Sequence, residues 1–175
     1  MLKSLRIYLP VLLVTVIPLI IFGCKSQNQK AEAILESKSG SNVSGTVTFT
    51  KEGNLMKVVA DIKGLTPGKH GFHVHEKGDC SAPDGTSAGG HFNPKSEPHA
   101  GHDSPQRHVG DMGNVTADAS GNVHFELTDD MMTFEGEDSI IGKSIIVHEK
   151  EDDLKSQPSG DAGARVACGV IMILK

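Results

Sequence analysis

The sequence predicts an all-β domain, an antiparallel sandwich or flattened barrel with two long loops, and three observations carry that prediction. Apolar residues recur at every second position through much of the chain from Val43 onward, twenty glycines and eight prolines punctuate short runs, and no segment sustains the period of a helix. Short strands joined by polar turns, with no helical crossover between them, pair antiparallel.

The elements follow in order. Val43, Gly45, Val47 and Phe49 alternate with Ser44, Thr46 and Thr48, which places one set on each face of a strand. Lys51-Glu52-Gly53-Asn54 supplies a turn, and Met56, Val58, Ala60 and Ile62 form the inward face of the returning strand, so the two runs make a hairpin. After the Gly64 to Gly68 punctuation comes a strand at Gly71 to His75. Another is marked by Val123, Phe125 and Leu127, and the last two lie within Ile145 to Glu149 and Ala164 to Leu174. Glu76 to Gly113 and Glu149 to Gly163 carry little strand pattern, and loops of that length in a compact domain are usually functional.

Ahead of this domain, Lys3 and Arg6 precede an apolar stretch from Ile7 to Phe22, the pattern of an export signal. The stretch is shorter than the roughly 20 residues a spanning helix needs and contains Pro10 and Pro18, although an uncleaved membrane anchor remains the alternative. Ile21-Phe22-Gly23-Cys24 resembles the lipobox of bacterial lipoproteins, which implies a lipidated Cys24 as the mature N-terminus. Lys25 to Asn42 is polar and reads as a flexible tether spanning about 25 Å, with a short helix at Ala31 to Glu36 the one structured option within it. The expected organisation is therefore a signal peptide at 1–23, a tether at 24–42 and a folded domain at 43–175.

Charge and cysteines narrow the class. The net charge is −5, and the leader holds Lys3 and Arg6 with no acid, so residues 24–175 carry −7, which argues against nucleic acid as a partner. Three cysteines leave an odd one outside the cytosol. With Cys24 lipidated, Cys80 and Cys168 remain to pair; two free buried thiols are the disfavoured alternative.

The chemistry concentrates in the histidines. His73-Val74-His75 sets two imidazoles on one strand face, with Phe72 and Val74 on the other. His91, His99, His108 and Asp111 follow at intervals of eight, nine and three, and His148 closes the run Ser144-Ile145-Ile146-Val147-His148. Neutral imidazole suits copper and zinc, three histidines with a carboxylate suit tetrahedral zinc, and an all-nitrogen square suits Cu(II). These seven ligands fall one short of two four-coordinate sites, a deficit that a bridging imidazole removes. His91, between the two groups in sequence, is the candidate for that bridge. His70, His102 and His124 are read as structural or surface residues, Lys155 as an ordinary solvated lysine, and Met131 and Met132 as packing contacts.

The words around these residues carry a family resemblance. Gly71-Phe72-His73-Val74-His75-Glu76, Gly90-His91-Phe92-Asn93-Pro94, Arg107-His108-Val109-Gly110-Asp111-Met112-Gly113-Asn114, Ile140-Ile141-Gly142, Val147-His148-Glu149 and Gly163-Ala164-Arg165-Val166-Ala167-Cys168-Gly169-Val170 closely resemble the copper/zinc superoxide dismutases, over roughly Val43 to Lys175. The resemblance implies a Greek-key, immunoglobulin-like β-sandwich holding one copper and one zinc per subunit. It implies copper ligands His73, His75, His91 and His148, zinc ligands His91, His99, His108 and Asp111, and His91 as both bridge and proton carrier. It further implies Arg165 beside the copper channel, an intrasubunit disulfide between Cys80 and Cys168, and Asp152, four residues after His148, as the carboxylate linking a copper histidine to a zinc histidine.

The reaction so implied converts superoxide to oxygen and hydrogen peroxide as copper is alternately reduced and oxidised. The metals and Arg165 would form a positive focus that steers the anion within a negative body. The segment from Cys80 to His91 is longer, and that from Lys155 to Gly163 shorter, than in the eukaryotic form of the family. Both look bacterial and leave the assembly open between monomer and homodimer. A dismutase-like module that stores or donates metal without catalysis is the alternative, against which stand all four copper positions and Arg165. The expected location is that of an exported lipoprotein, at the cell membrane or facing a periplasm.

Overall fold

A computed structural model describes residues 29–175. Among the described residues nine strands run in chain order: β1 (Lys30–Ser37), β2 (Ser44–Glu52), β3 (Leu55–Lys63), β4 (Gly68–His75), β5 (Asp111–Ala117), β6 (Val123–Asp129), β7 (Ser144–His148), β8 (Arg165–Val170) and β9 (Met172–Ile173). They are ordered β5-β4-β7-β8-β1-β2-β3-β6 with every strand pair antiparallel, so the expected all-β sandwich or flattened barrel is the architecture observed. Thr86–Ala88, a single 3-10 turn, is the one helical element among the described residues, and none there is long and apolar enough to cross a membrane.

β1 corrects the expected tether. Residues 30–37 form neither a flexible chain nor a short helix. They pair with β2 from Lys30↔Thr50 to Leu35↔Gly45, and their last two positions pair with β8 at Glu36↔Cys168 and Ser37↔Ala167. One strand thus belongs to both sheets and forms the seam between them. The alternation is present, with Ala31, Ala33 and Leu35 buried, but alanine gives weak apolar contrast and Ile34 points outward at 68% exposure, which blurs the period of two. β5 likewise begins inside the stretch expected as a loop, because Asp111-Met112-Gly113-Asn114 opens it with polar and glycine positions. The first long loop therefore ends at Gly110. The expected signal peptide and Cys24 lie outside the described residues.

The hairpin expected at Val43 to Ile62 is β2 and β3, in register from Ser44↔Lys63 to Glu52↔Leu55 around Gly53, whose φ of 65° suits a residue without Cβ. Val47, Phe49, Met56, Val58 and Ala60 from this sheet meet Phe72, Val74, Ile145, Val147 and Ala167 from the other, all essentially solvent-free. Phe72 lies edge-on to Phe125 with centroids 5.7 Å apart. The opposite face of β4 carries His73 and His75, and it is buried as well, at 0% and 1% exposure, because the two long loops fold over it.

The Cys80–Cys168 disulfide is formed, with a sequence separation of 88. It ties the first loop to the middle of β8, where Cys168 packs with Ala88 and Ile146.

Candidate metal centre

Strand register assembles the first cluster. In β4, His73 and His75 face the same side; β7 lies alongside β4 and ends at His148, and β8 places Arg165 opposite His148. The first loop returns to the end of β4 through an isolated bridge, His75↔His91, secured by Phe92 N–H to Val74 O at 2.8 Å and Glu76 N–H to Gly90 O at 2.9 Å. Ligand atoms of His73, His75, His91 and His148 then lie within 4.8 Å of one another. A second group, His91, His99, His108 and Asp111, satisfies the same distance, and His91 belongs to both.

The hydrogen bonds show which nitrogen of each ring is committed. His73 Nε2–H donates to Asp152 Oδ2 at 2.7 Å, His75 Nδ1–H to the Gly89 carbonyl at 2.9 Å, and His99 Nε2–H to Asp152 Oδ1 at 2.9 Å. Their other nitrogens, His73 Nδ1, His75 Nε2 and His99 Nδ1, are buried without a hydrogen-bond partner, as are His91 Nε2, His108 Nδ1 and His148 Nε2. Six orphaned buried imidazole nitrogens converging on two points would be costly in a protein that left them so. They fit two cations. Four nitrogens surround the first point, suited to copper. At the second, Asp111 stands within 2.9, 3.1 and 3.2 Å of the Nδ1 atoms of His91, His99 and His108, the nitrogen and oxygen set that suits zinc.

The electrostatics agree with this division. Burial, with the positive potential of neighbouring histidines, holds His75 and His148 well below the ordinary imidazole value and brings His91 down to about 4, so these three rings are neutral at pH 7. Burial also pulls on His99, but the Asp111 and Asp152 carboxylates flanking it prevail and raise it to about 9. Burial works against the charge of Asp111 and Asp152, but the surrounding histidines prevail and hold both carboxyls far below the usual range.

Arg165 is half-buried, with Nη1–H donating to Gly85 O and Nη2–H to Gly89 O, both at 2.7 Å. Gly89 O is therefore shared between the arginine and His75. Asp152, the position identified by counting from His148, has a fully buried side chain and touches His73 and His99. The histidines set aside are elsewhere: His70 spans Thr66 O and His148 O, His102 meets Asp129, and His124 pairs with Asp61 on the surface.

Two residues were not singled out from the sequence. The Asn114 side chain clasps Asp152 from both sides, accepting its N–H at 2.8 Å and donating to its carbonyl at 2.9 Å. Gln157 does the same for His99, at 2.8 Å in each direction. Both act through backbone groups, which leave no spacing signature. For Asn114 the motif Gly113-Asn114 was a pointer; for Gln157 there was none.

Comparison with known proteins places this arrangement. A family model for copper/zinc superoxide dismutase matches residues 43–171. The chain is 44% identical over 153 residues to an extracellular Cu-Zn superoxide dismutase of Brugia pahangi, covering 82% of this chain and 75% of that protein. It is 43% identical over 149 residues to one of Caenorhabditis elegans, covering 81% and 65%. A Cu-Zn superoxide dismutase of Onchocerca volvulus is 45% identical over 146 residues, covering 77% and 91%. Among solved structures, the crystal structure of the clock protein EA4 superposes with a TM-score of 0.77 at 41% identity, covering 84% of this chain and 96% of that one.

Proposed function

The chain belongs to the copper/zinc superoxide dismutase family, whose cofactors are copper and zinc, and from that premise we propose how its histidine clusters convert superoxide to oxygen and hydrogen peroxide. Copper is assigned to His73, His75, His91 and His148, and zinc to His91, His99, His108 and Asp111, one of each per subunit. The observation that supports the assignment is the set of six unpartnered buried imidazole nitrogens, each on a ring whose position is already fixed. When bound, copper supplies the one-electron chemistry, accepting an electron from one superoxide and passing it to the next, while redox-inert zinc holds geometry.

The protein's own groups do the rest. Arg165, pinned by two carbonyls, keeps its cationic face beside His148 to receive the anion. His91 Nε2, the ring atom facing the copper side, would hold one proton between half-reactions and surrender it to the departing peroxide, whose second proton comes from solvent. Asp152 holds the Nε2–H of His73 and His99, so that Nδ1 is the nitrogen each ring would offer a metal.

The names of relatives as extracellular enzymes support export. We place the export signal at 1–23 and lipid on Cys24, with the folded domain beginning at Lys30 and only five residues between. Anchoring by this route needs two signals, which diacylglyceryl and a further acyl chain provide. Cys24→Ser should release the protein into the soluble fraction, and a variant that stayed on the membrane would exclude this anchor. Homodimer assembly is supported by the exposed Ile34 of β1 and the exposed Met172, Ile173 and Leu174 at and after β9, which pairs with β1, and sedimentation of Ile34→Glu against the parent tests it.

The activity is tested by metal analysis with an assay of superoxide decay. Protein carrying equimolar copper and zinc that fails to accelerate the decay removes the enzymatic reading and leaves the metal-storage module. His73→Ala should abolish activity and copper while sparing most zinc; retained activity rejects the copper assignment.

A further inference from the structure

His99 sits in the first long loop on no regular strand; Asp111 of β5 faces its Nδ1 at 3.1 Å and accepts the Ala100 N–H at 3.2 Å, while the other two anchors of His99 come from the second loop, more than fifty residues later. Asp152 takes its ring through Nε2. Gln157 takes its backbone, accepting His99 N–H on Oε1 and donating from Nε2 to His99 O, both at 2.8 Å, which reproduces with one carboxamide the two-point pairing of an antiparallel strand. The carboxamide is itself oriented. Its Nε2 also donates to Lys155 O at 3.1 Å, so exchanging oxygen and nitrogen would set like poles against each other at all three contacts.

The segment that presents Gln157 is tightly wound. Asp153 Oδ1 accepts the N–H groups of Lys155 and Ser156, and Gly160 N–H returns to Ser156 O at 2.7 Å. Gly160 lies so close to Asp152 and His99 that a Cβ there would collide with the Asp152 carboxylate, and its φ is +70°. The copper-side rings of His73, His75 and His148 stand on β4 and β7 and do not depend on this segment for their backbone.

We propose that Gln157 is a positioning residue of the zinc half-site: its clasp on the His99 backbone holds Nδ1 at Asp111, so that zinc retention depends on the order of the second loop. The inference rests on the reading of His99 as a zinc ligand. Without the clasp, His99 keeps its ring contact with Asp152 and the next residue keeps its N–H on Asp111, but the His99 amide and carbonyl lose their side-chain partner, and the zinc ligand set loosens on that side.

The test is the rate at which zinc leaves the full, copper- and zinc-loaded protein into excess chelator, together with the visible spectrum of the cobalt-substituted zinc site. Gln157→Ala should lose zinc about tenfold faster, in the range expected when a partner that orients a ligand is removed, with an altered cobalt spectrum and unchanged copper content. Gln157→Glu keeps the volume and the acceptor for His99 N–H but turns an oxygen toward His99 O and Lys155 O. It should therefore fail to rescue, and it carries the measurement if the alanine variant does not fold. Lys155→Ala, which preserves the carbonyl, should match the parent. Zinc loss within twofold of the parent in both Gln157 variants, with an unchanged cobalt spectrum, overturns the proposal. A parent protein that takes up no zinc and shows no tetrahedral cobalt spectrum overturns the zinc reading itself, a distinct outcome.

Discussion

Replacing both Cys80 and Cys168 with alanine isolates what the disulfide contributes. The bond closes a loop with a sequence separation of 88, and in the chain-entropy account such a loop removes about 4.6 kcal/mol of freedom from the unfolded state. Cys168 is fully buried against Ala88 and Ile146, so truncating its sulfur adds a small cavity term of about 1 kcal/mol. The expected loss, about 5 to 6 kcal/mol, rivals the whole stability of many domains. Guanidinium unfolding of the metal-free protein, comparing midpoints at equal slope, measures it. The loop between Asp79 and Gly90 should also become a site of native-state proteolysis, because its tie to β8 is gone. A loss below about 1.5 kcal/mol would refute the reasoning, since it would mean the unfolded chain is already constrained without the bond.

Three further outcomes follow from the site. In the metal-free protein, His91 at about 4 favours folding above the unfolded imidazole value near 6.5, and this contribution is lost as pH falls toward 4. His99 at about 9 contributes below that value and loses its contribution as pH rises toward 9. Urea midpoints should accordingly peak near pH 6.5, and His99→Gln should flatten the alkaline limb; an unchanged alkaline limb in that variant would contradict the assignment. Because His99 must surrender its proton to bind metal, zinc uptake at pH 7.5 should release roughly one proton, readable by calorimetry in buffers of different ionisation enthalpy. Asp152→Asn leaves one acceptor where two rings and the Leu154 N–H now bond, and should weaken zinc binding about 10- to 100-fold by chelator competition; equal affinity would show the carboxylate to be dispensable.

Much of this architecture was legible in the residues. The hairpin of β2 and β3, the strands bearing His73, His75 and His148, and the two long loops each announce themselves through a period of two or its interruption. β1 does not, because Ala31 and Ala33 bury little surface and Ile34 faces water, so a strand that completes both sheets reads as polar chain. The structure brings together the seven residues that the sequence grouped, along with Asp152, while the Gln157 and Asn114 clasps were invisible. An amide that bonds a distant backbone obeys no local spacing, and only the folded path of the second loop decides which backbone it meets.

The Gly89 carbonyl is the meeting point of two duties, since it orients the His75 ring and seats one arm of the Arg165 guanidinium. A displacement of that oxygen would turn an imidazole and tilt the cation in the same motion. Redesign of the segment between Cys80 and His91 therefore cannot adjust the imidazole separately from the guanidinium. Variation that seeks one without the other must enter through the strands or through the second loop.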